Sequence, residues 1–160
     1  MLSRLHHMSS QLVIVFVGSV AIILMVYSKQ TLFIWSNNLV LANSISPLLV
    51  ILTAAALANS IGYIGHNLQI VYGKPNVIIS VNLISISLAI VVLPFMIKIY
   101  GLNGCVYTWF FISILQALIL LVSAHRSRLC ELGIQWVLFD VLLPLSGSIT
   151  PAVFFEKYIL

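Results

Sequence analysis

The stretch NVIISVNLISISLAIVVLPFMIKIYGLNGCVYTWFFISILQALILLVSA (Asn76–Ala124) decides the fold. It carries one cation, Lys98, and no acid. Gly101 and Gly104 divide it into two apolar pieces. A bilayer-crossing helix needs about 20 mostly apolar residues at 1.5 Å rise each, and both pieces reach that length. The reading is two spanning helices, 76–97 and 102–124, joined by a tight turn. Working outward, residues 44–72 form a third such run, richer in polar groups, and residues 11–28 a fourth. Residues 134–155 form a fifth, interrupted by Pro144 and Pro151, which would kink it. The expected fold is all-α: a polytopic transmembrane helix bundle of about five spans, one transmembrane region over 1–160 with no soluble domain.

Composition agrees. Of 160 residues, 62% are hydrophobic and 6% charged, where soluble domains carry about 25% charged residues. Mean hydropathy is +1.19. The seven cations (Arg4, Lys29, Lys74, Lys98, Arg126, Arg128, Lys157) fall in the gaps between runs and form no patch, which argues against nucleic-acid binding. Arg4 and an apolar core mimic a secretion signal, but Tyr27-Ser28-Lys29 is a poor cleavage site, so the first run reads as a retained helix. With alternating spans, Arg4, Lys74, Arg126 and Arg128 share one side against Lys29, Lys98 and Lys157. That bias places the N-terminus in the cytoplasm. Trp35, Tyr72, Tyr100 and Trp136 stand near span ends, as interfacial aromatics do.

No catalytic constellation is visible: no phosphate loop, no HExxH, no GxSxG, and only three acids in the chain. The expectation is a non-enzyme without metal or cofactor. Cys105 and Cys130 fit no metal or redox spacing. The informative polar residues lie inside the spans. Ala54, Ala58 and Gly62 make a smooth ridge for close helix approach. Asn59, Tyr63 and His66 recur at four and three, on one helical stripe, with Asn67 and Gln69 at its flanks. Such a stripe faces protein or water, not lipid. It is either the wall of an aqueous or sugar-lined cavity or a set of interhelical hydrogen bonds. Asn82 on the next run and Gln116, in line with Trp109 and Ser113, read the same way. Ser80, Ser85 and Ser87 can return their hydroxyls to their own helix. Asp140 is the one acid inside an expected span, a candidate for proton or cation coupling unless that span starts later.

Three pieces of text, in order, resemble the C-terminal half of bacterial polysaccharide flippases. These are the O-antigen and other lipid-linked oligosaccharide translocases of the multidrug/oligosaccharidyl-lipid/polysaccharide exporter superfamily. The pieces are LFIW before SNN, LQIVYGKPNVIISVN (Leu68–Asn82) and YGLNGCVYTWF (Tyr100–Phe110), and the resemblance covers residues 5 to 125. Gly101 and Gly104 suit a tight turn with close packing, and Pro75 suits the first turn of a helix. Cys105 stands where the pattern usually has a small alanine.

The resemblance implies an alternating-access transporter of lipid-linked oligosaccharide in the bacterial inner membrane. Asn59, Tyr63, His66, Gln69, Asn82, Lys98 and Gln116 would then be candidate cavity residues. Lys98 would be a candidate for the diphosphate, although a lysine there also snorkels to headgroups. Family members have more than twice this complement of spans, so the expectation is a fragment inactive alone. Its partners would be the lipid bilayer, lipid-linked oligosaccharide, a missing N-terminal half and other polysaccharide-assembly proteins. The alternatives are a small non-transporting accessory protein and a drug/cation antiporter of the same superfamily.

Overall fold

The computed structural model describes residues 2–126, which are helical apart from short joints. The elements are α1 (Leu2–Val26), α2 (Ser28–Ser36), α3 (Leu39–Val71), α4 (Pro75–Tyr100) and α5 (Leu102–Arg126). The expected fifth span, 134–155 with Asp140, lies outside the described residues, as does Cys130. The described chain divides into two units, residues 2–57 and 58–126, with α3 contributing to each.

In the first unit, the helix expected over 11–28 ends at Val26 and a further helix, α2, follows it at an angle. Gln11–Val26 and Ser28–Ser36 meet at Tyr27 with a bend of 78°. Such a break makes a broken span or a re-entrant loop. The joint keeps its backbone bonds: Tyr27 N–H donates to Ile23 O at 2.9 Å and Thr31 N–H to Tyr27 O at 2.9 Å. Neither proline nor glycine, the common causes of a sharp kink, stands there. The triplet SNN (Ser36, Asn37, Asn38) then ends one helix and starts the next. Asn37 takes φ 50°, the left-handed cap position, with its N–H on Phe33 O at 2.8 Å. Asn38 Oδ1 accepts from Val40 N–H at 3.0 Å and Leu41 N–H at 3.2 Å, an N-terminal cap for α3. Pro47 inside α3 lacks the N–H that would reach Asn43 O, and the Ser46 hydroxyl turns to that carbonyl at 3.5 Å.

In the second unit, α3 ends in two crossed bonds, Gly73 N–H to Ile70 O at 3.0 Å and Lys74 N–H to Gln69 O at 2.9 Å. Gly73 sits at φ 66°, as this Schellman ending requires. Pro75 follows as the first residue of α4. The α4–α5 turn is shorter still. Gly101 takes φ 58° with ψ −133°, a region open essentially only to glycine. Its N–H reaches Ile97 O at 2.8 Å, and Gly104 N–H reaches Gly101 O at 3.1 Å. A Cβ on Gly104 would run into the Met96 carbonyl. The tight turn read from YGLNG is therefore present, and each glycine has a separate reason.

Ile78 and Val81 of α4 pack with Leu120 of α5, flanked by Val77 and Ile119. The opposite face of α4 shows Ile79, Leu83, Ile86 and Ile90, each 58–68% exposed. An apolar stripe turned outward is costly in water and matched by lipid tails. Among the described residues, three helices (Leu39–Val71, Pro75–Tyr100, Leu102–Ser123) are long and apolar enough to cross a membrane, or four spans if the bent pair counts as one. The protein is membrane-embedded and all-α over the described residues. At 33 residues, α3 is about 50 Å long against a hydrocarbon core of about 30 Å, so it tilts or projects from the core.

Candidate functional site: polar side chains within the spans

Of the expected small-residue ridge, Gly62 stands at a close helix approach, joined there by Gly65 of α3. A Cβ at Gly62 would lie 3.0 Å from Ala117 Cα, and one at Gly65 would lie 3.1 Å from Leu120 O. Without Cβ atoms the α3 and α5 backbones approach closely. Gly65 escaped the sequence reading, although its three-residue spacing from Gly62 was a signal for the same face.

This approach changes the status of Gln69. Expected at the flank of the polar stripe, it is the most deeply buried of these side chains, at 1% exposure. Its Nε2 donates to Leu120 O at 3.4 Å. Its Oε1 is buried with no hydrogen-bond partner, and so is Nδ1 of His66, three residues earlier. The rings of Tyr63 and His66 stand 5.5 Å apart, tilted by 59°. Tyr63 itself is exposed, while Asn59 and His66 are half-buried. The stripe read from the four-and-three spacing thus splits into an outward part at Tyr63 and an inward part at Gln69.

Asn82 and Gln116 are brought together. Gln116 Nε2 donates to Asn82 Oδ1 at 2.8 Å, joining α4 to α5. The bond uses one N–H of Gln116 and one lone pair of Asn82, leaving further donor and acceptor capacity on both carboxamides. Asn82 is exposed. It lies seven residues beyond Pro75, about 10 Å along the helix, well inside the span. Ser80 instead closes on its own helix, donating to Asn76 O at 2.9 Å.

Lys98 stands apart. It occupies the last turn of α4, exposed, sixteen residues and about 24 Å along the axis from Asn82. There it complements the negative end of the helix dipole. Beside that turn Tyr100 and Tyr107 meet edge to face, 6.5 Å between centroids. Lysine and tyrosines together have the chemistry of a headgroup-level collar. Among the described residues no group of three His, Cys, Asp or Glu side chains gathers as a metal site. The Cys105 thiol is free and half-buried. Comparison with protein families, curated proteins and solved structures found no match.

Proposed function

We propose that this chain serves as part of a transporter that moves lipid-linked oligosaccharide across the bacterial cytoplasmic membrane, with its N-terminus in the cytoplasm. The observation that carries the reading is the Asn82–Gln116 pair. Two carboxamides, one of them exposed, stand well inside apolar helices long enough to span. Intramembrane polar groups mark pathways more often than they face lipid. Carboxamides also offer the paired donors and acceptors that sugar hydroxyls take. The resemblance at Leu68–Asn82 and Tyr100–Phe110 supplies the substrate class. In this reading the lysine-and-tyrosine collar at Lys98 serves anchoring, not diphosphate binding.

The test is photo-crosslinking in membranes with an undecaprenyl-diphosphate oligosaccharide probe, against a probe with the lipid but no sugar. The expected result is labelling that needs the sugar and falls in the Asn82→Leu/Gln116→Leu variant. Equal labelling by both probes overturns the reading.

A second reading has its own observation. Asn82 and Gln116 also satisfy each other across two helices, which is how a non-transporting membrane subunit uses polar residues as glue. Sugar-independent labelling together with lost stability in the same variant favours it.

A further inference from the structure

We propose that His66 and Gln69 hold one water molecule between them in the α3–α5 seam. Gln69 is 1% exposed and its Oε1 has no partner; Nδ1 of His66, one turn earlier, is buried and also has none. A buried polar atom left without a hydrogen bond is costly, and two of them a single turn apart on one helix call for a partner. The two residues are three apart on α3, so their side chains lie on neighbouring positions of one helical face. Leu120 O is occupied by the Gln69 amide.

Water fits the chemistry of both atoms. It donates one hydrogen to Oε1 of Gln69. With its other groups it accepts from Nδ1–H of His66 or donates to a bare Nδ1, whichever tautomer is present. Two polar partners are the fewest an ordered buried water keeps. A metal cation is disfavoured, because hard cations take about six oxygen ligands. The chain's three acids (Glu131, Asp140, Glu156) all lie outside α3, α4 and α5, so no carboxylate of these helices offsets the charge. The inference does not depend on what the protein transports.

The experiment is magnetic resonance of the full chain in lipid bilayers with isotope-labelled imidazole nitrogens. The His66 signals are assigned by their loss in His66→Asn. The expected result is magnetisation transfer from water protons to Nδ1 of His66, lost in Gln69→Met, which keeps the volume and removes the acceptor. If Gln69→Met fails to insert, Gln69→Asn, shorter by one methylene, carries the same expectation. An Nδ1 that receives nothing from water overturns the proposal. So does transfer that survives both Gln69 variants, since the water is then not shared. A His66 signal that moves when sodium replaces potassium overturns it in favour of a bound cation.

Discussion

Replacing Gly104 with alanine tests the α4–α5 turn. A Cβ at this position meets the carbonyl of Met96, and its next neighbour is Ile97 N at 3.1 Å. Both obstacles are main chain, so no rotamer change makes room. Forcing a methyl into a packed site costs about 1–3 kcal/mol. Against that, alanine is about 0.5–1 kcal/mol better than glycine inside a helix. The net expectation is destabilisation by about 1–2 kcal/mol, roughly a factor of 5–30 in the folded-to-unfolded ratio. The assay is reversible unfolding in mixed micelles, raising the fraction of denaturing detergent and following helix content. Gly104→Ala should unfold at a lower detergent fraction, while Leu102→Ala, at an exposed position two residues earlier, should move it little. Adding Met96→Ala should give no rescue, because the clash is with the peptide group and not the side chain. A Gly104→Ala protein as stable as the parent, or one restored by Met96→Ala, would refute the argument.

Other substitutions follow from the same geometry. Gly62→Leu should separate α3 from α5, and Ala117→Gly should recover part of the loss; accessibility of a cysteine placed at Leu120 reads the separation. In a double-mutant cycle, Asn82→Leu and Gln116→Leu should couple by about 0.6 kcal/mol, the average for such bonds in membranes, measured by the same unfolding. Asn38→Ala should cost about 1 kcal/mol by removing the α3 cap, and Asn38→Asp should retain most of it. Asn37→Gly should be neutral or better and Asn37→Val worse, because φ is positive there.

Much of the second unit was legible because punctuation and length agreed. Pro75, Gly101 and the apolar runs placed spans at 76–97 and 102–124, against observed helices at 75–100 and 102–126. The end of the first helix near Ser28 was legible from the apolar run, but α2 beyond Tyr27 was not, because no residue there marks a bend between two helices. The site was legible in kind and not in arrangement. Helical spacing says which residues share a face, but not which face meets which neighbour. The Asn82–Gln116 bond and the burial of Gln69 depend on the rotation of α5 against α4 and α3. That rotation is set by where Gly62 and Gly65 admit the α5 backbone. The polar residues were found span by span; the structure adds that Gln69 turns inward and that Asn82 and Gln116 meet across two helices.

The brevity of the joints bears on how the protein enters the membrane. Three residues separate α3 from α4, and one separates α4 from α5. Each joint is flanked by a single lysine, Lys74 at one end of the bundle and Lys98 at the other. Loop cations orient a membrane protein only where one side outnumbers the other. Lys74 and Arg126, the last residue of α5, share one end against Lys98 at the other. The direction of the three helices therefore hangs on a margin of one charge, carried by Arg126.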